Sequence, residues 1–591
     1  MTEHLGLRPH AVRREDRADG SILLYSGYDL GPVDRSTGVW LDRWANATPD
    51  ALFLAERSGA GWRTLSYSEA REQVHALAAG LLGRGIDGPI LILSGNSIDH
   101  ALLSLATQYV GLVTVPVAEQ YSLIPAAHGR LKYVADLVKP TLVYAADGEA
   151  YAAALKLLGC PAVCSNVGSS GAIPFELLKQ GKEDVVQAHK AVSPGTLAKL
   201  LLTSGSTSDP KAVETTHGML TTNQAQIRDS LPFVQARPPV LVDWLPWNHV
   251  FGGSHNFNLV LSNGGALYID DGKPLPALFP RTVENLGHVP GTISFNVPVG
   301  FAQLTKVLEA DVALRKTYFK SLDMIFYAGA SLPQDAWAKL ERMALDTAGR
   351  MPLITSSWGL TETAPATLLQ HEPAQGAGIV GVPLPGVVTK LIDDGTGRME
   401  VRVKGPNIFE RYSDNAEQTA KAIDEEGFFR TGDAMRFVDP EDMNRGLQFD
   451  GRMSEDFKLS TGTWVQAAQI RLEMIACLGP FAQDVVVCGH GRDEIGILIV
   501  PGPEARGGQA DGGALLSDGS KDIRERMYDI SSVTVGSARR VVRALVLADP
   551  PDIGAGEITA KGNINFARLL ERRANLVERL YDDNDAASIL T

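Results

Sequence analysis

Cysteine is scarce in this chain: Cys160, Cys164, Cys477 and Cys488 are the only four among 591 residues. None belongs to a CxxC pair, and no histidine cluster completes a zinc set, which removes a disulfide scaffold and structural zinc from consideration. Such thiols read as buried or idle groups of a reducing compartment. Long apolar runs are missing too. No stretch reaches the ~18 residues a membrane helix needs, and the opening MTEHLGLRPHAVRRED lacks the apolar segment of a secretory signal. No membrane association is expected, and the cytoplasm is the expected location. Positive charge is in deficit, with 55 Lys and Arg against 69 Asp and Glu and a formal net charge of −14. That surface repels a phosphodiester backbone and argues against a nucleic-acid partner. The Walker pattern GxxxxGK[ST] is absent as well.

What is present is an ordinary globular composition, 44% apolar and 21% charged. The chain is too long for one core, since units rarely exceed roughly 250–300 residues. Residues 22–25 read as a short strand. Ser66 and Glu69 fit a capping box, and Val74, Leu77, Ala78 and Leu81 recur at helical spacing before Gly85 stops the run. Short apolar runs at 89–93, 112–117, 141–144, 240–245, 266–269 and 324–327 then alternate with helical patterns. This predicts an α/β fold with parallel-rich sheets covered by helices. Past residue 380, Gly and Pro become dense and alternation at 399–403 suggests a smaller β-rich part. Residues 1–450 are read as one large N-terminal domain and 451–591 as a small, mobile α+β C-terminal domain, with strands near 485–487 and 497–499. The Gly-, Asp- and Ser-rich stretch 502–520 is expected to be a loop.

Five segments offer chemistry. LTSGSTSDPK (202–211) follows an apolar run with hydroxyl side chains, a glycine and a lysine, which suits the many acceptor oxygens of a polyphosphate. WGLTE (358–362) offers a ring for a purine, a hydroxyl for a phosphate and a carboxylate for Mg²⁺. The Asp of RTGD (430–433) can accept from ribose hydroxyls. DGRMSEDFK (450–458) and TAKGNIN (559–565) each set a basic residue near glycine. Taken singly, each also fits a solvated loop, an ordinary turn or a surface lysine.

Together, in this order and spacing, they resemble the acyl-adenylate-forming superfamily of acyl-CoA synthetases, peptide-synthetase adenylation domains and luciferases. LPWNHVFGG (245–253), YAGASLP (327–333) and GVPLPG (381–386) extend the resemblance over nearly the whole chain. EDFKLSTGTWV (455–465), FLAERSG (53–59), PVAEQYSL (116–123) and the Lys-Gly-x-Ile-Asn order at Lys561 are similar to bacterial feruloyl-CoA synthetases. The resemblance implies ATP, Mg²⁺ and coenzyme A as co-substrates and a small carboxylic acid as partner. A homodimer is compatible with it and not required.

Residue by residue, the resemblance puts Thr203, Ser204, Gly205, Ser206, Thr207 and Lys211 at the ATP phosphates. Ala330, Ser331, Trp358 and Gly359 fall at the adenine, and Asp433 and Arg452 at the ribose. Thr361 contacts the α-phosphate, and Glu362 binds Mg²⁺. Lys561 is the adenylation lysine. The acid falls among His249, Phe251, Val297, Ala328, Gly329, Ala330, Ala364 and Pro365. Lys458 and Gly462 belong to the thioester step, and Ser454 to the hinge between the two domains. Small residues beside aromatic ones suit a planar acid, a hydroxycinnamate such as ferulate, with a medium-chain fatty acid or another aryl acid as the alternative.

The chain departs from the pattern in places. Ser208 and Ala212 replace common glycines, Ser454 stands where Asp or Lys is usual, one extra residue precedes Gly462, and Lys561 precedes its glycine rather than following it. These departures keep open a nucleotide-binding homologue without turnover. A carrier-protein thiol is a further alternative acceptor. No carrier-type serine motif follows Thr591, so free CoA is expected.

Overall fold

A computed structural model describes residues 5–203, 210–329, 332–374, 376–395, 398–534, 536, 538–552, 555–558 and 564–591. The expected α/β architecture is present. One seven-stranded sheet runs, in spatial order, through Lys211–Thr216, Leu197–Thr203, Thr114–Pro116, Ile90–Ile92, Leu142–Asp147, Ala162–Asn166 and Ile173–Pro174. It is parallel except for its first pair. Its middle strands are short and buried on both faces, as continuous apolar runs require. The helix Tyr67–Gly83 begins with the capping box read from the sequence. The Ser66 hydroxyl accepts from the Glu69 amide, and the Ser66 amide donates to the Glu69 carboxylate at 2.7 Å.

An eleven-stranded sheet carries the parallel strands Ile293–Asn296, Met324–Tyr327 and Leu353–Gly359 at one end. It continues through antiparallel strands as far as Val12–Asp16. The smaller β-rich part read after residue 380, within the large domain, is the continuation of this same sheet. Ala366–Leu369 pairs with Leu353–Gly359 on one side and Ile379–Pro383 on the other. Gly and Pro are dense there because the strands turn back on one another.

After residue 456 the apolar clusters share no residue with those before it. Here Ile495–Pro501 and Val541–Leu547 form the buried centre of a six-stranded sheet. The expected loop at 502–520 is instead largely a hairpin, Gly508–Asp511 with Ala514–Ser517, leading into the helix Ser520–Val533. Gly512 and Gly513, at φ of 53° and 87°, make the turn, and Ala514 and Leu515 pair with the central strand Val541–Leu547. The glycines hid the strands from a compositional reading. Across the stretch read as the hinge, buried Arg398 donates to the Asp450 carbonyl at 2.8 and 3.1 Å and pairs with the Asp456 carboxylate. Among the described residues no helix is long and apolar enough to cross a membrane.

Candidate active site

The parallel register Phe295↔Phe326 and Asn296↔Tyr327, then Phe326↔Thr355 and Tyr327↔Ser356, aligns the carboxyl ends of three strands. Segments 297–298 and 328–329 leave the sheet at this edge, and the Leu353–Gly359 strand runs past it into the turn Thr361–Thr363. Carboxyl ends of parallel strands are where open α/β sheets bind ligands, because the chain there leaves the hydrogen-bonded layer and exposes side chains and backbone groups. Val297 and Ala328 pack against a buried cluster that includes Phe251, Phe295 and Phe326, while Gly329 is exposed. Ala364 and Pro365 are buried beyond the turn, with Ala364 in the left-handed region at φ 71°.

His249 and Phe251 come from a segment that approaches its own backbone. A Cβ at Gly252 would lie 2.3 Å from the Leu245 carbonyl oxygen, and one at Gly253 2.2 Å from that of Trp247, so only glycine fits at both places. The Phe251 amide donates to His249 Nδ1 at 3.2 Å. Residues Phe251–Asn256 wind as a π-helix. Side chains take three consecutive carbonyls of this turn. Buried Lys199 donates to that of Gly253, and Gln224 Nε2 donates to those of Ser254 and His255 at 3.3 and 3.2 Å. Burial brings the Lys199 ammonium down to about 8.

Trp358 and Asp433 meet directly. The indole Nε1 donates to Asp433 Oδ2 at 2.8 Å, and Arg452 Nε lies 3.3 Å from Oδ1. Asp433 and Arg452 are register partners across adjacent antiparallel strands, which sets this pairing. Asp433 is buried, whereas half of the Arg452 side chain is open to solvent. Gly359 follows Trp358 because a Cβ there would lie 1.7 Å from the Pro365 carbonyl oxygen.

Glu362 is buried in the 3₁₀ turn Thr361–Thr363, and its Oε1 accepts from the Tyr412 hydroxyl at 2.8 Å. Burial, reinforced by this carboxylate, pushes the Tyr412 phenol far above its ordinary value. Lys211 Nζ sits 4.9 Å from the centroid of the same ring, so Tyr412 stands between Lys211 and the carboxylate. Thr203 and Lys211 are register partners on adjacent antiparallel strands.

The turn is held from beneath by amides that the sequence did not single out. Asn407 Nδ2 donates to the carbonyls of Thr363 (2.7 Å) and Ala366 (3.1 Å). Asn223 grips Ala366 at both its carbonyl (2.7 Å) and its amide (3.2 Å). Gln226 Nε2 donates to Asn407 Oδ1 at 3.1 Å, and Gln226 Oε1 accepts from Asn223 Nδ2 at 3.0 Å. The one available signal is on the helix His217–Ser230, where Thr221, Thr222, Asn223, Gln224 and Gln226 are all buried: a polar helix with no exposed face is wired to something. Asn407→Ala is expected to cost about 1–3 kcal/mol by stripping the Asn407 hydrogen bond from the buried Thr363 carbonyl, while the Ala366 carbonyl keeps Asn223. The check is an unfolding midpoint moved to lower urea, together with a fall in turnover.

Lys458 and Gly462 lie on an exposed hairpin, Phe457–Lys458 with Trp464–Val465, where the Lys458 ammonium is 4.9 Å from the Trp464 ring centroid. Ser454 lies in the 3₁₀ turn Met453–Glu455, and its side chain is outside the described structure. Ser204, Gly205, Ser206, Thr207, Ala330, Ser331 and Lys561 also lie outside the described residues.

Comparison with known proteins decides the family. Residues 41–413 match the family described as AMP-binding enzyme, and residues 456–585 match the AMP-binding enzyme C-terminal domain. The chain belongs to the AMP-binding enzyme family. Among relatives of this AMP-binding enzyme, the long-chain-fatty-acid–CoA ligase FadD15 of Mycobacterium bovis is 24% identical over 90% of the chain and 95% of its own length. The probable acyl-activating enzyme 16 of Arabidopsis thaliana is 26% identical over 43% of the chain, a match spanning 37% of that protein. The ATP-bound crystal structure of MatB from Rhodopseudomonas palustris superposes with a TM-score of 0.67 at 22% identity, covering 92% of this chain and 99% of that one. This last likeness establishes the fold. The adenylate-forming superfamily expected from the motifs is therefore the family found. FadD15, a relative matched over most of the chain, is named for long-chain fatty acids, not for hydroxycinnamates.

Proposed function

We propose that this AMP-binding enzyme joins a carboxylic acid, a hydroxycinnamate such as ferulate, to coenzyme A through an acyl-adenylate, consuming ATP and releasing AMP and pyrophosphate. The observation that carries this reading is a juxtaposition. A buried carboxylate–indole pair, Asp433 with Trp358, joined by the half-exposed Arg452, and a buried carboxylate–phenol pair, Glu362 with Tyr412, flank one sheet edge beside an aromatic cluster.

The chemistry follows from charge. A carboxylate is a poor electrophile because its leaving group would be oxide. Attack of the carboxylate oxygen on the α-phosphorus forms an acyl–O–P bond, breaks the bond to the β-phosphate oxygen and expels pyrophosphate. Two anions must approach, so cations must gather around them. Asp433 accepts from the ribose hydroxyls and Arg452 steadies it. Thr361 donates to the α-phosphate. Lys211 and the rest of the loop 203–211 hold the outer phosphates, and Lys561 neutralises the meeting oxygens. The thiol of CoA then attacks the acyl carbon and AMP leaves.

The residues present fit Mg²⁺. Among the described residues Glu362 hydrogen-bonds to Tyr412 and pairs with no lysine or arginine, and no cluster of three or more His, Cys, Asp or Glu forms a self-contained metal site. That is the provision expected for a magnesium ion shared between one carboxylate and substrate phosphates. When bound, the ion supplies positive charge to the phosphoryl oxygens. We read residues 1–450 and 451–591 as units that turn about Ser454 between the two half-reactions, bringing Lys458 and Gly462 into the thioester step.

The aromatic cluster and its small neighbours Ala328 and Gly329 favour a flat acid. A fatty acid is the second reading, favoured by the name of the FadD15 relative. Pyrophosphate exchange and kcat/KM over a panel of cinnamates and of straight-chain acids separate the two. Cinnamates are expected to lead by at least about tenfold, a difference of ~1.4 kcal/mol at the transition state. Octanoate or palmitate ahead of every cinnamate overturns the aryl assignment.

A further inference from the structure

His255 lies in the π-helix Phe251–Asn256 that also presents Phe251. Its ring is enclosed by three others, with centroids at 5.7 Å to Phe251, 5.4 Å to Phe295 and 5.2 Å to Phe326. Phe295 and Phe326 stand side by side on the strands whose carboxyl ends form the site edge.

A chain of hydrogen bonds fixes the tautomer of this imidazole. The Asp243 carboxylate accepts from the Leu245 amide at 3.1 Å and from Asn256 Nδ2 at 2.9 Å. With its amino group committed to Asp243, Asn256 turns its carbonyl oxygen to His255 Nδ1, 2.9 Å away. An amide oxygen only accepts, so Nδ1 carries the proton and Nε2 presents a lone pair. Burial holds the imidazole neutral, bringing it down to about 4, so Nε2 remains an acceptor throughout the neutral range.

Among the described residues Nε2 is buried with no hydrogen-bond partner. Such an orphan costs about 1–3 kcal/mol, and folded proteins keep few of them. The rings around it, Phe251, Phe295 and Phe326, also pack on one another, so Nε2 faces an apolar, aromatic setting.

We propose that His255 is a specificity-determining residue whose Nε2 accepts a hydrogen bond from a hydroxyl at the far end of an aromatic acid. This rests on the reading of this sheet edge as the acid site, and it deepens that reading by naming the feature of the acid that is recognised. A straight alkyl chain, or a ring ending in methyl, leaves Nε2 orphaned. A phenol satisfies it. Sites that hydrogen-bond a substrate hydroxyl reject the analogue lacking it strongly, whereas an apolar site discriminates a single added group weakly.

The test uses the whole protein with ATP, magnesium and CoA. The values of kcat/KM are measured for cinnamate and for its 4-hydroxy, 4-amino and 4-methyl derivatives. The amino group keeps a donor at similar size, and the methyl group removes it. The wild-type protein is expected to favour the hydroxy and amino acids over the methyl acid by about 10–100-fold. In His255→Leu the three acids are expected to become equal within about threefold, by loss on the donors and not on the methyl acid. His255→Gln, which keeps an acceptor, is expected to retain part of the preference.

Equal use of the hydroxy and methyl acids by the wild-type protein overturns the role of His255 while leaving an aryl-acid ligase intact. An undiminished preference in His255→Leu does the same. Failure of every aromatic acid to support pyrophosphate exchange in the wild-type protein removes the underlying reading and this inference with it. The wild-type comparison stands even if the leucine variant does not fold.

Discussion

Lys561→Ala is expected to slow acyl-adenylate formation by about 10²–10³-fold, the usual loss when one preorganised donor is removed from a developing oxyanion. The same variant is expected to convert supplied acyl-AMP and CoA to thioester at close to the normal rate. The asymmetry follows from where the charge lies. In the first half-reaction a carboxylate meets a phosphate, and an ammonium between them lowers the barrier directly. In the second a thiol attacks an activated acyl carbon and AMP departs, so the cation between the two anions is no longer needed. Single-turnover measurement of each half-reaction checks this. Equal losses in both show that Lys561 is not the adenylation lysine, a result that its position ahead of Gly562 makes worth seeking. Arg572 and Arg573 are not substitutes, since both pair with the buried Glu557 carboxylate.

Asp433→Ala is expected to raise the KM for ATP by about 10²-fold, because hydrogen bonds to a charged group contribute ~1.5–3 kcal/mol each and the proposed role of the carboxylate is to accept from ribose. At saturating ATP the order of preference among acids stays as in the parent protein. A second loss accompanies the first. The Trp358 indole N–H, bonded to Oδ2 at 2.8 Å, is left without its acceptor in a buried setting. Asp433→Asn separates the two effects. Its amide oxygen keeps an acceptor for the indole, so stability recovers while ATP affinity does not return fully. A changed acid preference in either variant shows that Asp433 faces the acid and not the sugar.

The capping box at Ser66 and Glu69, the alternation of short buried strands with helices and the ordered motifs were legible because each is local. A capping box spans four residues, Ser66 to Glu69, a buried strand about five, and a nucleotide motif about ten at most. The supports beneath the site were not legible, because their partners are distant in sequence. Asn223 reaches the Ala366 carbonyl from 143 positions away, and Lys199 reaches Gly253 from 54. An amide that binds a remote backbone carbonyl leaves no periodicity in its own neighbourhood. Tyr412 escaped notice for the same reason, being tied to Glu362 across 50 residues by a single hydroxyl. The hairpin ending at Ser517 was read as a loop because Gly512 and Gly513 carry a turn signal that composition cannot tell from disorder.

The opposition of Thr203 and Lys211 in the ladder bears on how freely the chain can change length there. Because the sheet already holds both ends together, lengthening the connection adds only the slow logarithmic cost of a longer closed loop, about 0.6 kcal/mol for a doubling. Folding is thus almost indifferent to insertions between these two residues. Under the proposed function, a limit on the number of residues in that interval reflects the triphosphate and not the sheet.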